Sequence, residues 1–440
     1  MVKKTDNRLI CSDDKRNAIK QSYIATCAKR KRQILKVYEC KIVKTRLNKR
    51  QKEQLEKLFV EGKWFYNHVL DIHKNGIKLK DINSTDIKEV KHFDKNGNPI
   101  LSNLERLKSQ QKQAIIERMF SNEKAIESLF KKGIQKHGSL QFKSEIGCIP
   151  LKQYGITYKF KTPNKVKIAG ISGTILIRTG GQLDNADELA NANLIKRPDG
   201  YYLKVTTFID KEKIKPEQTN GKEIGLDFGI KTNITTSEGE KIDVSIEESE
   251  RLKKLQKEMF RRKKNSNNRL KTIHLLQREY QKLSNRKKDK ANKIVSKFKQ
   301  YKTIVIQDEQ LQNWQKGLFG KQIQHSCLGI VKAKLKTLPQ TIVLDKWIPT
   351  TKMCPNCGTI NKHITLNNRT FHCGCGYSED RDVHSARNML KIKDLVFSKM
   401  NLVPTEHREV TLVEFKASTE EQSLASLDNE AGRCHVFSMA

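Results

Sequence analysis

The spacing of apolar residues divides the first half of the chain into strand-like and helix-like stretches. Residues 36 to 46 alternate apolar and polar positions as a half-buried strand does. Apolar residues then recur at helical spacing as far as Gly133. From 139 to 210 short β segments are separated by turn residues, which predicts a small antiparallel sheet or barrel.

The second half begins with a different pattern. The segment from Glu223 to Thr236 predicts a strand, a glycine-assisted bend and a second strand. Residues 251 to 300 carry one apolar face and predict a helical hairpin or pair. A buried strand is predicted again over Thr303 to Ile306.

The net charge of the chain predicts a negatively charged partner. The chain has 86 Lys and Arg against 49 Asp and Glu, a formal charge of +37. Residues 251 to 300 alone hold 19 basic and three acidic residues, whereas a helix that is merely solvated usually interleaves more Glu. This excess predicts contact with the phosphates of a nucleic acid.

The two ends of the chain differ in charge. Residues 1 to 35 are basic and predict either a flexible arm or a nucleic-acid contact. Beyond Pro404 the chain turns acidic, which predicts disorder or loose packing. No stretch reaches roughly 18 consecutive apolar residues and no signal peptide is visible, so we expect a cytoplasmic protein without a membrane partner.

Two acidic clusters stand at predicted strands. Asp227 lies among apolar residues in mid-strand, where an unpaired charge is costly, so it requires either a metal ion or an arginine partner. Asp308 and Glu309 close the predicted strand over 303 to 306, and they could equally form a solvated acidic loop. Alternation of side chains along a strand puts these two acids on opposite faces.

A third cluster, Asp380-Arg381-Asp382, opens a predicted short helix, where either acid could simply cap the helix. Three acidic clusters in a very basic chain suit a phosphodiesterase that uses two Mg²⁺ or Mn²⁺ ions. In that chemistry carboxylates converge from distant segments, and no nucleophilic side chain is needed.

Four cysteines form a separate cluster. They have the spacing Cys-x-x-Cys followed by Cys-x-Cys, typical of a zinc ribbon apart from the shorter second pair, and comprise Cys354, Cys357, Cys373 and Cys375. We predict one structural Zn²⁺ here, with His372 as a possible substitute ligand and free buried thiols as the alternative.

The order of these motifs resembles the transposon-encoded TnpB nucleases and the compact type V CRISPR effectors. The resemblance rests on GLDFGIKTN, the long basic helical stretch, the acidic strand end, the zinc ribbon and DRDVHSARNML. It is specific over roughly 220 to 392 and looser over 36 to 218. Transposon or CRISPR origin is left open.

The resemblance implies a multidomain α+β protein: a wedge-type β-barrel with an inserted helical recognition domain, then an RNase H-like (RuvC) α/β domain containing a zinc ribbon. The implied divisions are a basic extension over 1–35, the first barrel strand over 36–48, the recognition domain over 49–136, the remaining barrel over 137–218, the nuclease domain over 219–351 with its basic helical pair at 249–300, the target-nucleic-acid-binding zinc ribbon over 352–378, the last nuclease segment over 379–393 and an acidic tail over 394–440.

By motif, the resemblance makes Asp227 the first catalytic carboxylate and Asp382 the third. The family usually has Glu-Asp-Leu directly after the strand, and Gln307 stands where that Glu would align. Glu309 lies two residues further on, on the same face, and we favour it over Asp308 as the second Mg²⁺ ligand. His384 stands where Asn is common.

The implied activity is metal-dependent, RNA-guided DNA cleavage, in which a guide RNA pairs with target double-stranded DNA next to a short flanking motif. The protein would act as a monomer or as a homodimer on one RNA. The aromatic run Trp64-Phe65-Tyr66 could stack on bases or pack in a core. Two other functions remain open: a guided DNA-binding regulator that has lost cleavage, and a zinc-ribbon accessory protein without a guide.

Overall fold

The computed structural model describes residues 13–93, 97–134, 138–213, 219–361, 364 and 368–401, with side chains from 17 to 393 except that of Ile19. The chain forms two compact units that divide near residue 215. None of the helices in these ranges is long and apolar enough to cross a bilayer. The acidic tail beyond Pro404 and the first 12 residues lie outside the described ranges.

The first unit is built on a seven-stranded, barrel-like antiparallel sheet in the order β4-β8-β9-β1-β7-β6-β5. Its strands are β1 Gln33–Ile42, β4 Cys148–Leu151, β5 Tyr158–Thr162, β6 Lys165–Ile168, β7 Ile175–Arg178, β8 Glu188–Arg197 and β9 Gly200–Asp210. Alternating apolar side chains fill the interior, and the longest pairing joins β1 to β9. The sheet predicted over 139 to 210 is confirmed: that range supplies six of the seven strands, and β1 is the seventh.

Two helices that lie between β1 and β4 in the sequence pack against this sheet. They are α2 Lys49–Lys74 and α3 Ser109–Lys131, separated by the hairpin of β2 Glu89–Phe93 and β3 Pro99–Asn103. The hairpin was not predicted, because its exposed side chains leave no clear alternation. Phe65 and Tyr66 are buried in the core, and the half-buried Trp64 stacks on His92 with ring centroids 3.9 Å apart, so the packing alternative is correct for this run.

The N-terminal prediction needs two corrections. Residues Asp13–Arg32 form a helix, α1, rather than a flexible arm, and the first barrel strand starts at Gln33 instead of residue 36 and ends at Ile42 instead of residue 48. The helix has no apolar face that periodicity could reveal. Its C-terminal end is held by charge, since Arg30 and Lys29 both pair with Glu188 of β8.

The second unit contains a mixed five-stranded sheet in the order β12-β11-β10-β13-β14. Its strands are β10 Glu223–Phe228, β11 Ile234–Thr236, β12 Lys241–Ile242, β13 Thr303–Gln307 and β14 Thr341–Leu344. The strands β10, β13 and β14 are parallel, and β11 is antiparallel to β10. The carboxyl ends of three strands therefore lie along one edge of the sheet.

Helices and one small hairpin complete this unit: α4 Glu250–Arg261, α5 Asn267–Phe298, α6 Leu311–Lys316, α7 Gly320–Gln324, α8 Leu328–Lys336, the hairpin of β15 Thr370–His372 and β16 Ser378–Asp380, and α9 Arg381–Asn401. The predicted basic helical pair corresponds to α4 and α5. Apolar side chains of α5 and α8 pack with Ile224, Leu226 and Phe228 on one face of β10. Helix α9 covers the other face and, at 21 residues, is longer than the short helix predicted.

Candidate active site

A glycine sets the distance between β10 and α9. A Cβ atom at Gly225 would lie 2.0 Å from the carbonyl oxygen of Ala386, so only glycine lets the helix approach the strand this closely. Asp227 follows two residues later and therefore faces the same helix. The first candidate carboxylate is thus held where strand and helix backbones nearly touch.

The surroundings of Asp227 disfavour its negative charge. The carboxyl group keeps some exposure to solvent, but dense packing removes most of its hydration. Burial, followed by the nearby negative charges of Glu309 and Asp382, raises the pKa of Asp227 to about 8. The hydroxyl of Ser385 donates a hydrogen bond of 2.9 Å to Oδ1 and opposes this shift. Glu309 and Asp382 therefore lie close enough to Asp227 to act on its charge.

Glu309 is paired with a buried lysine. The side chain of Lys332 in α8 is only 6% exposed, and its Nζ lies 2.5 Å from Oε2 of Glu309 and 2.8 Å from that residue's backbone oxygen. Burial raises the pKa of Glu309, and Lys332 opposes the change. The neighbouring Asp308 is more exposed and pairs with Lys336, one helical turn further along α8.

The two acids of the Asp380-Arg381-Asp382 run have different positions. Oδ1 of Asp380 accepts the backbone N–H groups of Asp382, at 3.0 Å, and Val383, at 3.3 Å, at the start of α9. Its Oδ2 accepts a hydrogen bond of 2.8 Å from Lys241. Asp380 is therefore the helix cap, while Asp382 lies in the first turn and raises the pKa of Asp227.

Gln307 is fully engaged in hydrogen bonds. Its Nε2 donates to the backbone oxygens of Asp345, at 3.0 Å, and Ile348, at 2.8 Å. Its Oε1 accepts from the hydroxyl of Thr350 at 3.0 Å, and the oxygen of that hydroxyl lies 3.1 Å from the hydroxyl oxygen of Ser385. Since Ser385 also bonds Asp227, a continuous series of polar contacts joins the turn after β14 to the first carboxylate.

The site has the donor chemistry that oxygen-seeking cations require. Thr235 lies directly opposite Asp227 in the pairing of β10 with β11 and is buried. Its hydroxyl has no hydrogen-bond partner among the described residues. Carboxylates and a hydroxyl are the ligand types that Mg²⁺ and Mn²⁺ prefer, but among the described residues only the four cysteines bring their ligand atoms within 4.8 Å of one another.

The four cysteines come together within the ribbon segment. Their Sγ atoms all lie within 4.8 Å of one another, with Cys354 to Cys375 at 3.6 Å and Cys357 to Cys373 at 3.5 Å. Four thiolates around a tetrahedral zinc at about 2.3 Å would be about 3.8 Å apart, so the cluster fits a structural metal. His372 is not part of this group.

Two family models match the second half of the chain and the junction before it. The model described as "Cas12f1-like, TNB domain" matches residues 330–389, and the model described as "Probable transposase" matches residues 206–315. The first covers the cysteine cluster and the start of α9, and the second covers β10 through the loop after β13.

Two curated relatives carry matching names. A "Putative RNA-guided DNA endonuclease" of Streptomyces pristinaespiralis is 31% identical over 190 residues, which are 41% of this chain and 47% of the relative. The "Putative RNA-guided DNA endonuclease InsQ" of Escherichia coli K12 is 24% identical over 273 residues, 54% of this chain and 67% of the relative. The two family models and the two curated relatives support the resemblance to the TnpB nucleases and type V effectors.

The match spans about half of the Streptomyces relative, at 47% of its length. Among solved structures, that of a Cas12f1 complex with sgRNA and target DNA covers 81% of this chain and 99% of its own, at 13% identity and a TM-score of 0.42.

The residues that support the acids were not predicted from the sequence. Lys332 and Ser385 contact Glu309 and Asp227 directly, and Thr350 links Ser385 to Gln307. Lys332 and Lys336, four residues apart on a helix that follows two acids, were a detectable signal. His384 is buried against Phe371 with centroids 3.8 Å apart, and burial lowers its pKa to about 4, so it is neutral at physiological pH.

Proposed function

We propose that the chain is an RNA-guided DNA endonuclease whose nuclease unit has an RNase H-like, RuvC-type fold. One observation carries the proposal: Asp227, Glu309 and Asp382 come from three segments yet lie close enough for the latter two to raise the pKa of Asp227. Acids whose pKa values are raised by burial and by one another are typical of a functional site, including one that binds a metal. The names of the two curated relatives support guided DNA cleavage.

In this proposal Asp227, Glu309 and Asp382 hold two Mg²⁺ or Mn²⁺ ions. When bound, such ions supply an activated water and stabilise the departing 3′ oxygen. The protein's own residues hold the ligands in place: Ser385 fixes one oxygen of Asp227, and Lys332 fixes one oxygen of Glu309. Burial raises the pKa of Asp227, so this carboxyl group would have to lose its proton to serve as a cation ligand.

The basic helices α4 and α5 are the proposed contact for guide RNA or target DNA. Three acids in residues 251 to 300 cannot neutralise 19 basic side chains. Seven of those basic side chains pair with an acid, and they are Arg251, Lys253, Arg262, Lys282, Lys290, Lys293 and Lys297. Phosphates are the expected counterions for the remaining excess.

The cysteine cluster is proposed to hold one structural Zn²⁺. Four protein ligands leave no open position for chemistry, so the metal would fix the ribbon beside α9 rather than act on DNA. Lys391 of α9 donates a hydrogen bond of 3.0 Å to the oxygen of Pro355, which ties this helix to the first cysteine pair.

A guided DNA-binding regulator without cleavage is the second candidate. The observation that favours it is Gln307, which stands where the family pattern has Glu and whose amide is committed to backbone and Thr350 partners. Glu309, two residues later, is the carboxylate that would have to replace it.

The test begins with expression of the protein from its native flanking locus and recovery of the bound RNA. The complex is incubated with Mg²⁺ and matching duplex DNA that carries a randomised flanking motif. Wild type is compared with Asp227→Ala, Glu309→Gln and, as a matched control, Asp308→Asn. Asp308 is adjacent to Glu309 but pairs with Lys336.

Cleavage by wild type and by Asp308→Asn, with none by the other two variants, would support the proposal and assign Glu309. Loss of cleavage only in Asp308→Asn and Asp227→Ala would assign Asp308 instead. Guided binding without cleavage by wild type would favour the regulator. Absence of any discrete bound RNA would contradict both guided functions.

A further inference from the structure

Trp347 is the most exposed aromatic residue in the described part of the chain, at 80% relative exposure. It lies in the turn over residues 345–348 that directly follows β14. Exposing a tryptophan this fully forgoes the burial that normally stabilises it, so packing does not explain the residue.

The turn that carries Trp347 is fixed. The backbone N–H of Trp347 donates to Oδ1 of Asp345 at 2.8 Å, and the amide of Gln307 donates to both Asp345 and Ile348. Ile348 itself packs against the small core that contains Val305. The ring is therefore presented by an anchored backbone, which reduces the entropy lost when a ligand binds.

The turn lies at the edge of the sheet where the candidate carboxylates gather. β14 pairs with β13 and β13 pairs with β10, all parallel, so the turn after β14 is two strands from Asp227 at the same edge. The polar contacts from Gln307 through Thr350 and Ser385 connect it to that carboxylate.

The ring also has a cationic neighbour. Nζ of Lys346 lies 4.8 Å from the centroid of the Trp347 ring. An exposed aromatic face beside a lysine is the combination with which proteins hold single-stranded nucleic acid, the ring stacking on a base and the cation meeting a phosphate.

We propose that Trp347 stacks on a base of the single DNA strand that enters the carboxylate site, and that Gln307 is the positioning residue that holds its turn. Identifying that strand as the one to be cut rests on the proposed function. The role requires glutamine, because Nε2 donates two hydrogen bonds to carbonyl oxygens and a carboxylate has no proton to donate. This role would explain why Gln307 stands where the family pattern has Glu.

The test uses the full chain without guide RNA or cleavage. Binding of fluorescein-labelled dT12 and of an abasic 12-mer is measured by anisotropy at moderate salt, without Mg²⁺. Quenching of the Trp347 emission is taken as the difference between wild type and Trp347→Phe. The variants are Trp347→Ala, Trp347→Phe, Gln307→Glu and Gln307→Met, with thermal melts of each. Leu318→Ala, at a residue 99% exposed, is the control for loss of an exposed apolar side chain.

We expect dT12, but not the abasic strand, to quench the Trp347 emission. Trp347→Ala should reduce the preference for dT12 over the abasic strand by at least about fivefold, the lower end of the effect of losing one stacked base. Trp347→Phe should retain part of the preference and Leu318→Ala all of it. Both Gln307 variants should lower it, and Gln307→Met does so without placing a charge in the network.

Unchanged emission with dT12, or an unchanged preference in Trp347→Ala, would overturn the proposal. A preference retained in both Gln307 variants would remove the positioning role of that residue. Because no step requires a guide or a cut, failure of the stacking contact leaves the proposed nuclease standing. Conversely, failure of guided cleavage leaves this measurement interpretable.

Discussion

The carboxylate site and the cysteine cluster lie in the same unit but are assembled differently. Asp227 and Ser385, which share a hydrogen bond, are 158 positions apart, whereas Cys354 and Cys375 are 21 apart. The cysteine cluster is a local structure that one ion can organise. The carboxylates depend on the parallel sheet and α9 to bring them together. A local defect should therefore affect the two sites in different ways.

The largest difference is expected from removing a ligand at the carboxylate site. Asp227→Ala should reduce guided DNA cleavage by at least about a thousandfold, roughly 4 kcal/mol of transition-state stabilisation. Because the variant removes a carboxyl group whose ionisation the fold opposes, its thermal stability should not fall. Single-turnover cleavage and a thermal melt measure both effects. A large loss of stability would mean that Asp227 is a structural residue.

The cysteine cluster should show the opposite behaviour. Cys354→Ser should lower bound zinc from one per chain towards none and destabilise the ribbon, since a structural metal contributes to folding directly. Metal content by mass spectrometry and hydrogen exchange of residues 352–378 provide the measurements. Cys148→Ser is the control, because Cys148 lies in β4 outside the cluster. Equal zinc in both variants would contradict the assignment.

The lysines of α8 test how far the carboxylate site depends on buried charge pairs. Lys332→Met leaves Glu309 half-buried without its cation and should lower the free energy of unfolding by about 3 kcal/mol. Lys336→Met, which breaks the more exposed pair with Asp308, should cost less than about 1 kcal/mol. Denaturant unfolding of the two variants measures the difference, and similar values would show that Glu309 is not buried in solution.

A smaller effect than the loss of the Lys332 pair is expected from a pH dependence of stability that comes from the carboxylate site. The fold raises the pKa of Asp227 from 3.8 to about 8, so between these values the native state binds more protons than the unfolded state. Stability in Mg²⁺-free buffer should therefore fall as the pH rises from 5 to 8, by on the order of 2 kcal/mol after allowance for partial exposure. Asp227→Asn should remove this component. Thermal melts across this pH range measure the effect; no chelator is added, because a chelator would also remove zinc. If the stability difference between wild type and Asp227→Asn did not change with pH, the raised pKa of Asp227 would be refuted.

The contrast between the sites also explains what could be predicted from the sequence. All four cysteines of the cluster could be predicted from their spacing, because they lie close together in the sequence. The strand containing Asp227 and the basic helices could be predicted from periodicity. Which of Asp380 and Asp382 caps the helix could not be predicted, because the position of Asp380 depends on Lys241, which lies on another strand.

Lys332 and Trp347 were missed for a related reason. A lysine in an amphipathic helix and a tryptophan after a strand normally indicate a solvated face and a core position. Here the lysine is buried and the tryptophan exposed. The burial of Lys332 and the exposure of Trp347 follow from tertiary contacts, because α8 packs beside Glu309 and Gln307 holds the turn that carries Trp347.

The absent methyl group at Gly225 makes the geometry of the candidate carboxylate site sensitive to a change that carries no charge. A side chain there would push α9 off β10, and with it Asp382 away from Asp227, while every acid stayed in the sequence. Homologues could lose cleavage in this way and still bind nucleic acid with an unaltered net charge. Surveys that sort active from inactive relatives by counting acids would misassign them, and the residue two positions before the first aspartate should be inspected as well.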